Sequence, residues 1–208
     1  MRACRHNLAY AHLPSPIGTL LLAGDGDALR LISFPEGSRT VGPADGWRRD
    51  DALFAGVAAQ LRAYFAGELR EFDVPLAPDG TEFQAAVWEA LRRIPYGETA
   101  SYGVIAGRIG RPTASRAVGA ANGANPIPII IPCHRVVGSN GSLTGFGGGL
   151  GTKRFLLDHE RVSNGIRHPA AGGAEDPAAT VAPTPGPVRC RTRAAPGGAP
   201  RAGGGRRP

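Results

Sequence analysis

The sequence predicts a small α/β module, then a mainly α-helical one, then a tail that cannot fold, and three observations carry that prediction. Two apolar runs joined by a Gly/Asp turn precede an amphipathic helix within residues 1–80. Four short segments of helical periodicity, punctuated by Gly and Pro, fill residues 81–160. Beyond them, over 161–208, the composition collapses.

In chain order, residues 15–23 and 28–34 read as two strands joined by the tight turn Gly24-Asp25-Gly26-Asp27, a hairpin. Gly, Pro and Ser from Pro35 to Gly46 mark a loop. Within 50–65, Leu53, Phe54, Val57, Ala58, Leu61, Tyr64 and Phe65 recur at helical spacing. Phe72-Asp73-Val74-Pro75-Leu76 reads as a last short strand, and Pro78-Asp79-Gly80 closes the module. No constellation of catalytic residues stands out in it.

The second module opens with Thr81 as N-cap and Phe83, Val87, Leu91 and Ile94 on one helical face, stopped by Pro95-Tyr96-Gly97. Residues 99–109 and 115–122 form two short helices about Gly110-Arg111-Pro112-Thr113, a helix-turn-helix pattern that many all-α domains share. Gly119, Ala120 and Ala121 give the second of these a slim face. That face suits either a groove at close approach or a tightly packed neighbour, and Arg116 projects near its start. The glycines from Gly138 to Gly151 let backbone amides approach a ligand, but no Lys-Ser/Thr follows at P-loop spacing, which argues against a nucleoside-triphosphate cradle. A final helix over 152–160 brings Glu160 back towards the core. The tail, with 9 Gly, 8 Pro and no Leu, Phe, Trp or Tyr, cannot bury a core and is expected to be disordered.

At 208 residues and 42% hydrophobic content the chain can build a core. Its net charge of +7 is unevenly spread: −4 over 1–89, +5 over 90–160 and +6 over 161–208. A basic segment joined to a mildly acidic one fits a polyanion-facing module, and equally a solvated surface. No run approaches the roughly 20 apolar residues of a membrane span, and Met1-Arg2-Ala3-Cys4-Arg5-His6 lacks a signal peptide's apolar core. A cytoplasmic protein without membrane association is expected. Three cysteines, at 4, 133 and 190, give no disulfide framework.

The chemistry centres on Cys133. The run Ile127-Pro128-Ile129-Ile130-Ile131-Pro132 cannot continue a helix and reads as a short buried strand, a stiff mount for a thiol. A thiol is mostly protonated near neutral pH unless a base or positive charge lowers its pKa, and His134 and Arg135 follow directly. Neighbouring side chains of an extended segment point to opposite faces, so a bridging water or a turn would have to link His134 to the sulfur.

Ile131-Pro132-Cys133-His134-Arg135-Val136, preceded by Asn125-Pro126 and followed by Leu156-Leu157-Asp158-His159-Glu160, resembles the O6-alkylguanine-DNA alkyltransferase family, from about Pro14 to Glu160 and most densely from Phe83 onward. The resemblance implies a ribonuclease-H-like α/β N-terminal domain of structural role (1–80) and a mainly α, winged-helix-like helix-turn-helix domain (81–160). It implies a monomer that binds double-stranded DNA carrying O-alkylated bases. The alkyl group of O6-alkylguanine, with O4-alkylthymine as a further candidate, would pass irreversibly to Cys133, once per molecule and without a cofactor.

In that pattern His134 would draw off the thiol proton through water, Glu160 would orient the imidazole, and Asn125 would hydrogen-bond within the network. Tyr102 would assist protonation of the base or contact its phosphate. Arg116 would insert where the rotated-out base had been, with Ser115, Ala117, Gly119 and Ala121 on the groove-facing helix. Phe146, Gly147, Gly148 and Val136 would wall the base pocket. Arg135 reads as a structural ion-pair partner of the Cys segment. Phe146 and Gly147 depart from the Tyr, Ser or Ala frequent in that loop, which leaves pocket hydrogen bonding and substrate breadth open. Some family members carry a structural zinc, but Cys4, His6 and His12 lack a fourth ligand and close pairing, so no metal is expected.

Plain structural readings stand beside these. Asn125 can cap a turn before Pro126, Tyr102 can fill the core, and Glu160 can pair with Lys153 or Arg154. One at a time those readings are the better ones; together, at this spacing, they are the worse. Two rival functions remain: a non-catalytic lesion-binding protein of the same fold, and a cysteine hydrolase built on Cys133, His134 and Glu160.

Overall fold

The computed structural model describes residues 8–165. Four strands make the N-terminal sheet: β1 (Ala9–Leu13), β2 (Leu20–Gly24), β3 (Leu29–Ser33) and β4 (Arg48–Arg49), in the order β3-β2-β1-β4. The β2–β3 hairpin is the one expected from the sequence. β1 pairs antiparallel with β2, and β4 adds two residues parallel to β1. β2, flanked along its length by β1 and β3, is buried throughout.

Helix α1 (Ala55–Phe65) follows and buries Leu61 and Tyr64. The strand expected near Phe72-Leu76 is a single bridge: Leu76 pairs with Leu29, and Pro75, which has no N–H, contributes its carbonyl to Leu29.

The C-terminal part is helical. α2 (Glu82–Arg92) starts with a full capping box, Thr81 Oγ1 accepting from the Gln84 N–H at 3.2 Å while Gln84 Oε1 accepts from the Thr81 N–H at 2.9 Å. Thr81→Ala is therefore expected to cost about 1 kcal/mol, read as a lower urea midpoint at unchanged slope. α3 (Tyr102–Arg108) and α4 (Ser115–Gly123) form the helix-turn-helix. The indole N–H of Trp88 on α2 donates to the Ala121 carbonyl at 2.9 Å, pinning α4 to α2. Two-residue strands β5 (Ala100–Ser101) and β6 (Val136–Val137) pair in parallel. α5 (Gly149–Ser163) closes the described chain.

Two expectations change here. The Ile/Pro run is not a strand: it is a closed turn that leads into one 3-10 turn, Cys133–Arg135. The helix expected to end at Glu160 runs to Ser163, so residues 161–163 belong to the fold. The rest of the expected tail from Ile166, with Cys190, lies outside the described residues, as do Cys4 and His6.

One apolar core spans both modules. Leu20, Leu22, Leu61 and Tyr64 from the first meet Leu91, Ile94, Ile127 and Leu156 from the second. Hydrogen bonds cross the same boundary, from the Ile32 N–H on β3 to the Pro126 carbonyl at 2.9 Å, and from His159 Nε2 to the Tyr64 carbonyl at 2.7 Å. Among the described residues, no helix is long and apolar enough to cross a membrane.

Candidate active site

The turn that carries the thiol is held by one side chain. Asn125 Oδ1 accepts from the Ile127 N–H at 3.0 Å, and its Nδ2 donates to the Ile131 carbonyl at 2.8 Å. Pro126, Pro128 and Pro132 offer no N–H, so the asparagine amide does work that backbone pairing cannot. Ile129 sits inside this turn at φ 75°, a left-handed conformation that a β-branched residue adopts only at a cost on the order of 1–3 kcal/mol. Burial of Ile127, Ile129 and Ile131 holds it there.

Cys133, His134 and Arg135 follow on the 3-10 turn, where successive side chains diverge by a third of a turn rather than alternating. His134 and Glu160 are fully buried. His134 Nε2 lies 2.8 Å from Glu160 Oε1. A carboxylate can only accept, so Nε2 carries the proton and Nδ1 keeps its lone pair. That Nδ1 is buried without a hydrogen-bond partner among the described residues.

Arg135 grips Glu160 with two donors, Nε to Oε2 and Nη2 to Oε1, both at 2.9 Å, and gives a third to the Ile94 carbonyl at 2.6 Å. Tyr64 OH donates to Oε1 at 2.8 Å and the Gly97 N–H to Oε2 at 3.1 Å. Glu160 thus pairs with neither Lys153 nor Arg154. Lys153 is instead buried, its Nζ donating to the carbonyls of Val136 at 2.6 Å and Thr144 at 3.2 Å.

Burial pushes the Cys133 thiol up to about 11, against the pull of the Asn125 amide, the Lys153 charge and the backbone amides of Cys133 and His134. Burial also lowers His134, with the hydrogen bond to Glu160 working the other way. For Glu160, burial alone would favour the acid, yet the hydrogen bonds and charges of His134 and Arg135 hold it well below the ordinary carboxylate range. At rest the trio is a neutral thiol, a neutral imidazole and a carboxylate. A thiolate at Cys133 is therefore not favoured at rest.

Cys133 lines a cleft of about 100 Å³ between the modules. Leu31, Phe34, Arg39 and Val41 wall it from the first module; Asn122, Asn125, Pro128, Phe146 and Gly147 wall it from the second. The two walls touch closely. Gly37 is left-handed at φ 121°, and a Cβ there would run into the Gly147 carbonyl, while a Cβ on Gly148 would lie 2.6 Å from the Phe34 ring. Gly148 is therefore a packing position behind the cleft rather than part of its lining. Val136 is likewise fully buried in β6 and not in the wall.

On α4, Arg116 and Ala117 are exposed and Ser115 and Gly119 half-buried. Ala121 points the other way, into the core, and presents nothing to a groove. Tyr102 is half-buried, packed against the core, with its hydroxyl 2.7 Å from Thr144 Oγ1, tying α3 to the glycine loop. Sequence reasoning missed Tyr64, Asn122, Arg39 and Lys153 as site residues. Only Lys153 left a trace, a charge two turns before Glu160 on the same apolar helix face. Among the described residues no group of three or more His, Cys, Asp or Glu side chains could hold a metal ion; His12 stands exposed on β1.

Residues 8–78 match the ribonuclease-like domain, and residues 82–162 the DNA-binding domain, of the family described as 6-O-methylguanine DNA methyltransferase. The chain is 56% identical over 151 residues to the methylated-DNA–protein-cysteine methyltransferase of Methanosarcina acetivorans, covering 73% of this chain and 97% of that one. It is 56% identical over 153 residues to the protein of the same name from Mycobacterium bovis, covering 73% and 92%. Among solved structures, Mycobacterium tuberculosis OGT in complex with DNA superposes with a TM-score of 0.71 at 54% identity, over 74% of this chain and 94% of that one. With both modules matched in order, and with the thiol, imidazole and carboxylate brought together at their junction, the chain belongs to the 6-O-methylguanine DNA methyltransferase family.

Proposed function

We propose that this protein repairs DNA directly, by moving the alkyl group of O6-alkylguanine onto Sγ of Cys133, once per molecule. The observation that carries the reading is a cysteine at the floor of a cleft, backed by a buried imidazole whose tautomer Glu160 dictates. His134 Nδ1 takes the thiol proton, directly or through one water. The sulfur attacks the alkyl carbon in line, the S–C bond forms as the C–O bond breaks, and the electron pair leaves with the guanine oxygen. Protonation of the base then yields neutral guanine and a neutral thioether. The Cys133 and His134 N–H groups and the Asn125 amide favour the thiolate as it develops.

A thiol only 4% exposed cannot meet a base stacked in a duplex, so the alkylated nucleotide is rotated out into the cleft. Arg116, exposed at the start of α4, fills the space it leaves, while Ser115, Ala117 and Gly119 face the minor groove. Tyr102, beside Gly119, is placed to contact the phosphate or to help protonate the base. Phe146 and Gly147 wall the base. O4-alkylthymine is the further candidate substrate. The thiol, imidazole and carboxylate all come from one copy, which supports a monomer, and a reduced thiol suits the cytoplasm. This chemistry calls for no cofactor.

The test is intact-protein and peptide mass spectrometry after incubation with duplex DNA containing one O6-methylguanine. One methyl on the Cys133 peptide, with equimolar restored guanine, is expected. Many turnovers per chain would mean a hydrolase, and DNA binding without mass gain a lesion-binding protein.

A further inference from the structure

We propose that Tyr64 is a positioning residue for alkyl transfer: from α1 in the N-terminal module, its hydroxyl holds Glu160 Oε1 and sets how tightly that carboxylate grips His134. The inference rests on the alkyl-transfer reading and extends it to the N-terminal module, which otherwise supplies one wall of the cleft. Three donors share Oε1: His134 Nε2 at 2.8 Å, Arg135 Nη2 at 2.9 Å and Tyr64 OH at 2.8 Å. Two of them sit on the turn that carries the thiol. The third arrives from 96 residues away.

The phenol is fully buried, its one hydrogen-bond acceptor among the described residues is Glu160, and its ring is fixed edge-on to Tyr96 and against Phe72. Its own carbonyl accepts from His159, one residue before Glu160 on α5, so Tyr64 is tied to that helix at two points. Such a residue does two things to the relay. It stops the carboxylate from rotating, and it draws negative charge off the oxygen that faces the imidazole. When His134 takes the thiol proton it becomes an imidazolium, and the charge left on Oε1 decides how strongly that cation is held. The groups facing the pair are Arg135 on its own turn, Tyr64 on α1, Tyr96 in the segment before β5, Lys153 on α5 and the Cys133 thiol. Of these, the Tyr64 hydroxyl donates directly to Oε1 and can be deleted without removing a charge or a wall of the cleft.

Tyr64→Phe removes the hydroxyl and keeps the ring. With one fewer donor on Oε1, the imidazolium is held more tightly and His134 becomes neutral, and hence able to accept the proton, only at higher pH. The single-turnover rate of methyl transfer from duplex O6-methylguanine, followed from pH 5 to 9, should show its rising limb moved up by about half a unit. That shift lowers the rate below the limb roughly threefold, with DNA affinity unchanged. Tyr64→3-fluorotyrosine, a stronger donor of nearly the same shape, should move the limb the opposite way. It also keeps the test decisive if Tyr64→Phe folds poorly. Limbs that coincide in wild type and both variants, with only the melting temperature altered, would overturn the positioning role and leave the alkyl-transfer reading standing. A wild-type protein that gains no methyl on Cys133 would overturn both.

Discussion

Glu160→Gln is expected to cost about 3–5 kcal/mol of stability and to slow alkyl transfer by roughly two orders of magnitude. The shape is preserved; what changes is that an acceptor-only group becomes half donor. Oε1 receives three hydrogen bonds and Oε2 two. In either orientation the amide NH₂ meets donors, and the Arg135 guanidinium loses its counter-charge in a site shut off from water. His134 loses the partner that fixes its tautomer and steadies the imidazolium. Urea unfolding and single-turnover transfer measure the two losses separately.

The stability part has a pH signature. The folded-state pKa of Glu160 is depressed, so its contribution is present above the unfolded carboxylate value of about 4.3 and fades as pH falls towards the folded value. The gap between wild type and Glu160→Gln should therefore be full at pH 7 and narrow progressively below about pH 4. A constant gap down to pH 3 would mean that packing, not charge, set the cost.

Arg116→Ala is expected to act on a different step. The side chain is exposed and outside the cleft, so its loss should leave the fold, the thiol and the pocket intact. Rotating a base out of the stack costs a few kcal/mol, and a side chain that occupies the gap offsets part of that. Transfer from duplex O6-methylguanine should fall roughly ten- to a hundredfold, while transfer from free O6-benzylguanine, which needs no rotation, should stay at the wild-type rate. Equal losses with both substrates would refute the finger role.

Much of this was legible from the residues, and the misses share a physical cause. The β2–β3 hairpin, α1, the Thr81 cap and the α3–α4 pair follow from periodicity and turn chemistry that act within a few residues. β1 escaped because its inward positions include two alanines and its outward ones Tyr10 and His12, a weak alternation. β4 escaped because it is two exposed arginines whose only claim to be a strand is the neighbour they pair with. The Ile/Pro run was read as extended because apolar β-branched residues favour strands. Three prolines without N–H groups, closed by the Asn125 amide, overrode that preference.

The site divides in the same way. Cys133, His134, Asn125 and Glu160 lie close together in a recognisable pattern. Tyr64, Asn122 and Arg39 become part of the site only when separate elements meet, and Ala121 left it because the phase of α4 turns that residue inward.

The cleft has one jaw from each module. Phe34, Arg39 and Val41 face Phe146, Gly147 and Asn122 across it, and the jaws are keyed together where Gly37 abuts Gly147 and Gly148 abuts Phe34. The width of the cleft over the sulfur therefore depends on how the halves of the molecule are spaced as well as on the side chains that line it. Substitutions under that seam, remote from the thiol, would widen or narrow the range of damage the protein can clear while leaving its chemistry untouched.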